Sequence, residues 1–250
     1  MVETIKCFSP VDGKLYASRP VASKKEIAAA FSAAHAAQEK WKRVSLKGRA
    51  AFCSAAVDAM LAMRDEIVPE LAWQMGRPIR YGAGELRGFE ERARHMIGIA
   101  EGALANHVPA AKEGFTRFIS REPWGVVFTI APWNYPYLTA VNSVIPALMA
   151  GNAVVLKHAS HTLLVAERFQ KAFDKAGLPK GVFQHLVMNH AQATDVISGG
   201  LVNMVCFTGS VAGGRAMEQA AAGRFINVGL ELGGKDPAYV RHDANLAHAV

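Results

Sequence analysis

PWGVVFTIAPWNYPYLTAVNSVIPALMAGNAVVLK, residues 123–157, carries no charge before its final lysine. A run this long and apolar could cross a bilayer. Pro132, Pro136, Pro146, Asn134, Asn142, Gly151 and Asn152 interrupt it, however, and lipid offers no partner for the backbone groups that such breaks free. A buried strand over 126–130, a helix over about 138–149 and a second strand over 153–156 accommodate every one of these residues. Uncharged strands joined by a helical crossover belong to a parallel sheet covered on both faces.

Downstream the alternation repeats. Helical spacing runs from about Leu163 to Lys175, from Ala191 to Ile197 and from Val211 to Ala222. Between and after these lie Val182-Phe183, Met204-Val205-Cys206-Phe207 and the run Ile226 to Leu230. The pattern predicts an α/β fold with a doubly wound, mostly parallel, Rossmann-like sheet, whose ligands bind at the carboxyl ends of the strands. A last short strand is expected at Ala238 to Val240. Asp243-Ala244-Asn245-Leu246 then caps a helix where the chain stops, which reads as an element cut short.

Upstream, the first hundred or so residues read as helical. Ser23-Lys24-Lys25-Glu26 is a capping box, followed by Ile27, Ala30, Phe31 and Ala34 at helical spacing. A second helix is expected from Ser45 to about Met75, with Phe52, Ala56, Met60, Met63 and Ile67 on one stripe, ending near Gly76 and Pro78. A third runs from about Gly84 to Asn106. Phe115 to Ser120 alternates apolar and polar residues as a half-exposed strand would.

The composition excludes several classes. With 250 residues, 51% hydrophobic and 20% charged, the chain is neither disordered nor fibrous. The net charge is +7, but both signs are interspersed along the whole length, so no nucleic-acid groove is expected. Cys7, Cys53 and Cys206 are far apart and the N-terminus has no apolar signal segment, which points to reduced thiols and a cytoplasmic setting.

Four strand-end turns carry candidate chemistry. In Ala131-Pro132-Trp133-Asn134-Tyr135-Pro136, the Asn134 carboxamide either donates to a developing oxyanion or satisfies the turn's own backbone. Lys157 follows an apolar strand, where an ammonium can meet a ribose hydroxyl or a phosphate. His158 and His161 have no further ligand nearby, so no metal site is expected. In Phe207-Thr208-Gly209-Ser210-Val211-Ala212-Gly213, glycines admit a ligand to the backbone and a helix N-terminus offers free N–H groups to a pyrophosphate. Cys206, just before it, reads as a small strand residue. Glu231, in Leu230-Glu231-Leu232-Gly233-Gly234-Lys235, closes an apolar strand expected to be buried, a setting that suits a general base; the alternative is a salt bridge to Lys235 or Arg215.

Together R-E-P-W-G-V-V, A-P-W-N-Y-P, G-N-A-V-V-L-K, F-T-G-S and E-L-G-G-K resemble the NAD(P)-dependent aldehyde dehydrogenase superfamily, and the likeness covers nearly the whole chain. The resemblance implies one NAD(P)-binding domain over residues 1–250, mainly helical over 1–112 and β/α over 113–250. It implies Asn134 as oxyanion donor and Glu231 as general base. It also implies a cofactor site, for NAD or NADP, drawing on Ile130, Pro132, Trp133, Lys157, Ser160, Gly209, Ser210, Gly213 and Leu232. The substrate is a small aldehyde, and the complete enzyme is expected to be a homo-oligomer. Many relatives place a proline at the His158 position and a glutamate at the Ser160 position; this chain departs from that pattern, so strict NAD selectivity is not expected of it. The family's nucleophilic cysteine lies a few dozen residues past the Glu231 motif, on a catalytic domain absent from this chain; none of Cys7, Cys53 or Cys206 matches it. The alternative is a non-catalytic dinucleotide-binding module or half of a split enzyme.

Overall fold

A computed structural model describes residues 3–249. The chain opens not with a helix but with an antiparallel hairpin, Thr4–Phe8 (β1) and Leu15–Pro20 (β2). The signal for it was Asp12-Gly13 between two short alternating runs: Gly13 has φ 72°, the left-handed geometry such a turn needs.

Three of the following helices depart from their expected bounds. Helix Lys24–Trp41 (α1) starts at the capping box, with the Ser23 hydroxyl accepting from the Glu26 N–H. The expected single helix from Ser45 is two, Leu46–Leu61 (α2) and Arg64–Met75 (α3). The chain breaks at Ala62-Met63, and Pro69 lies inside α3, where it has no N–H to donate to the Asp65 carbonyl. Helix Ile79–Leu104 (α4) starts earlier than expected, directly after Pro78.

Phe115 to Ser120 is not a strand. Its pairings are isolated bridges, His107 with Ile119 and Lys112 with Phe115, and Phe115, Phe118 and Ile119 all stay exposed because nothing covers them.

The β/α units follow: Val126–Ile130 (β3), Pro136–Met149 (α5), Ala153–Lys157 (β4), Val165–Lys175 (α6), Phe183–His185 (β5), His190–Ser198 (α7), Met204–Thr208 (β6), Val211–Ala221 (α8) and Asn227–Glu231 (β7). The sheet order is β5-β4-β3-β6-β7, every neighbouring pair parallel. One face packs Val127, Val154 and Leu156 against α2, α4, α5 and α6. The other packs Val126, Phe128 and Val155 against α1, α7 and α8. The sheet is therefore doubly wound, as the uncharged strands indicated. Ala238 to Val240 is not a strand: it is irregular and exposed, with no partner strand among the described residues; Leu246–Ala249 (α9) begins after Asp243.

Helix α5 explains why residues 123–156 need no charge of their own. It is largely buried, so both its ends must be satisfied by protein groups rather than water. At its C-terminus Trp41 Nε1 donates to the Leu148 carbonyl at 3.0 Å, Arg49 Nε to Met149 at 2.9 Å and Gln38 Nε2 to Gly151 at 3.1 Å. At its N-terminus Glu85 Oε1 accepts the Tyr137 and Leu138 N–H groups at 3.0 and 3.1 Å. An anion thus meets the positive end of the helix dipole and a cation the negative end, each supplied by another helix. No helix among the described residues is long and apolar enough to cross a membrane.

Candidate active site

The four turns lie side by side. Ile130 is in register with Lys157 on one side and Phe207 on the other, Phe207 with Leu230, and Thr208 with Glu231. Between β3 and β6 the chain order reverses. β3 leads into α5 on one face and β6 into α8 on the opposite face, which opens a crevice at their carboxyl ends.

Ser210 is the N-cap of α8, its hydroxyl accepting from the Gly213 N–H at 3.1 Å. The Val211 and Ala212 N–H groups take no partner among the described residues and form the helix's free positive end. Packing adds a second reason for the glycines: a Cβ on Gly209 would lie 2.8 Å from the Phe207 ring, one on Gly213 2.5 Å from it, and one on Gly214 2.6 Å from Leu232.

Lys157 is buried, and burial holds its pKa below the ordinary lysine value. No carboxylate pairs with it among the described residues. His158 beside it is fully engaged: Nδ1 accepts from the Ala159 N–H at 3.0 Å and faces the Thr162 hydroxyl at 2.9 Å, and Nε2 donates to the Pro136 carbonyl at 3.2 Å. That pattern assigns the neutral, Nε2-protonated tautomer, and burial drives the imidazole pKa down to about 4. His158 is therefore a strut between the β4 turn and the start of α5. Ser160 is exposed at the next turn, and the exposed Trp133 ring sits 5.9 Å from the His161 ring.

The Asn134 side chain makes no hydrogen bond among the described residues, so the turn-satisfying alternative is not what is observed. Its backbone is held instead. Arg77 Nη2 donates to the Asn134 carbonyl at 2.5 Å, and the guanidinium lies 4.5 Å from the Tyr135 ring centroid. Arg77 Nη1 approaches Glu85 Oε2 at 3.1 Å, a charge contact without hydrogen-bond alignment. Neither stood out in the sequence, because Glu85 on an amphipathic helix and Arg77 in the turn before it look like any solvated charges.

Glu231 differs from its expectation. β7 is the sheet edge, and Glu231 at its end is exposed rather than buried. Neither Lys235 nor Arg215 pairs with it. It lines one end of a groove of about 810 Å³ between α4, α5 and the β6–β7 face, with Thr208, Cys206, Asn142 and Arg92 along the walls. Burial pushes the Cys206 thiol up to about 11 and that of Cys53 to about 12, and raises Cys7 as well. All three are protonated near neutrality and are poor nucleophiles.

Strand order and crevice are those of a doubly wound α/β protein. The sequence profile described as "Aldehyde dehydrogenase family" matches residues 1–250, and the chain belongs to that family. It is 36% identical to 3,6-anhydro-alpha-L-galactose dehydrogenase of Streptomyces coelicolor over 99% of this chain and 50% of that protein. It is 28% identical to D-glyceraldehyde dehydrogenase (NADP(+)) of Picrophilus torridus, again over 99% of this chain and 50% of the relative. The structure of an NAD-dependent benzaldehyde dehydrogenase from Corynebacterium glutamicum superposes with a TM-score of 0.89 at 29% identity, covering 99% of this chain and 55% of that one. The chain spans about half the length of the relatives it matches.

Proposed function

We propose that this chain is the cofactor-binding portion of an NAD(P)-dependent aldehyde dehydrogenase that oxidises a small aldehyde to a carboxylic acid. The observation that carries the reading is the register row: Lys157, Ile130, Phe207 and Leu230 bring four strand-end turns to one edge, at the point where the sheet's winding reverses. The residues present fit a dinucleotide. Lys157 is a buried ammonium without a counter-ion among the described residues, suited to a ribose hydroxyl or phosphate, and the free N–H groups of Val211 and Ala212 suit the pyrophosphate. Ile130, Pro132, Trp133, Ser160, Gly209, Gly213 and Leu232 complete the proposed site.

When bound, the nicotinamide supplies the hydride acceptor. The protein groups do the rest. A cysteine thiolate from the half of such enzymes that this chain does not span adds to the aldehyde carbon, and the Asn134 carboxamide donates to the oxygen as it gains charge. After hydride departs, Glu231 takes a proton from water, which attacks the thioester and frees the acid and the thiol. Water reaches Glu231 through the open groove.

Cofactor selection is proposed to be permissive, NADP as well as NAD, since Ser160 puts no carboxylate near Lys157. The enzyme is proposed to be cytoplasmic and, when complete, a homo-oligomer; the exposed apolar side chains of Phe115, Phe118 and Ile119 support a further protein surface covering them.

The test is equilibrium binding of NAD+ and NADP+ to residues 1–250, with Lys157→Ala and Ser210→Ala as controls. Binding that either substitution weakens about tenfold supports the reading. Binding insensitive to both contradicts it.

A further inference from the structure

Among the described residues only Glu85 and Lys157 are charged and buried, and Glu85 has no part in the chemistry proposed above. Its side chain is 0% exposed and that of Arg77 12%. Burial pushes the Glu85 carboxyl up, and the Leu138 N–H, Arg77 and the Tyr137 N–H pull it back. A buried ion pair is an expensive way to stabilise a fold, since apolar side chains of similar size commonly serve as well or better. Where its hydrogen bonds go therefore matters.

They go to one stretch of backbone. Helix α5 has no side-chain cap of its own, because its N-cap is Tyr135. Glu85 reaches across from α4 to take the Tyr137 and Leu138 N–H groups, and Arg77 takes the Asn134 carbonyl and covers the Tyr135 ring. The backbone is thus gripped at the Asn134 carbonyl and again at residues 137–138, while the Asn134 carboxamide is left free. We infer that Glu85 and Arg77 are positioning residues that set the direction in which Asn134 presents its N–H. The inference rests on the reading of Asn134 as the oxyanion donor. It adds that the donor's aim is fixed from α4 and the segment before it, across the helix layer, and not by the turn itself.

A double-mutant cycle in the full-length enzyme tests it. Glu85→Ala should lower kcat by on the order of tenfold to a hundredfold, as misaimed donors do, with KM for the dinucleotide within about twofold. Introduced into Asn134→Ala, the same substitution should cost no more than about a further twofold, because nothing is left to aim. Glu85→Gln, which keeps an acceptor for the two N–H groups, should recover most of the rate. If Glu85→Ala does not fold, Arg77→Met carries the same cycle. Equal losses in both backgrounds would make the pair merely structural and overturn the inference while leaving the oxyanion reading intact. A normal kcat for Asn134→Ala would overturn both.

Discussion

Gly209 donates its backbone N–H to the carbonyl of Glu231 at 3.0 Å, so the glycine turn and the candidate base form one continuous edge of the sheet. The β6–β7 ladder runs right up to this bond, with Thr208 in register with Glu231. The proposed cofactor turn and the proposed base therefore share one hydrogen-bonded step, and a disturbance of the glycine turn is expected to reach Glu231.

Gly213→Ala tests the packing of that turn. The added Cβ would meet the Phe207 ring at 2.5 Å, and overpacking of this kind costs about 1 to 3 kcal/mol. The variant is expected to melt several degrees lower and to bind dinucleotide more weakly. Adding Phe207→Leu, which removes the ring, should restore the melting temperature but not the affinity. If the single variant melts normally, Phe207 swings aside freely and the packing explanation fails.

His158 should make stability fall in acid. Its folded pKa of about 4 lies below the ordinary 6.5, so between these values the unfolded chain binds a proton that the folded chain does not. Stability from this group is complete above pH 6.5 and is lost as pH falls toward 4, by about 3 kcal/mol in all. Urea midpoints at pH 7.5 and 5.0 should differ more for the native chain than for His158→Gln. Parallel pH profiles would remove His158 as the cause.

Ser160→Glu should select against NADP. A carboxylate there repels a 2′-phosphate by at least about 1 kcal/mol, roughly fivefold in relative efficiency. An unchanged NADP to NAD ratio would show that another residue sets the preference.

Residues 1–250 alone should bind dinucleotide yet oxidise no aldehyde, because their thiols are protonated near neutral pH, Cys206 with a pKa of about 11. Turnover that survives serine replacement of all three cysteines would refute the proposed chemistry. Loss of that turnover only on Cys206→Ser would move the nucleophile there.

The strand-end turns were legible because their residues are unusual for their places: an uncharged run broken by prolines, a lysine closing a β-branched strand, glycines before a helix. The sheet followed from the same features. What was not legible depended on what lies beside each element. Glu231 has apolar neighbours in the chain, yet β7 is an edge strand, so those neighbours bury nothing around it. Phe115 to Ser120 has a strand's alternation and no partner strand. Glu85 has an ordinary helical context and becomes buried only because the start of α5 needs an acceptor. Asp12-Gly13 is a hairpin signal confined to the first twenty residues, and the helical texture begins only after it.

The central claim, that Glu231 activates water for deacylation, is tested most directly by pre-steady-state kinetics of Glu231→Gln in the full-length enzyme. Gln keeps the size and hydrogen-bonding capacity but not the basic lone pair. The account predicts a burst of reduced cofactor followed by turnover slowed by about a hundredfold or more, with an unchanged melting temperature. Normal steady-state turnover together with a lowered melting temperature would contradict it and make Glu231 structural.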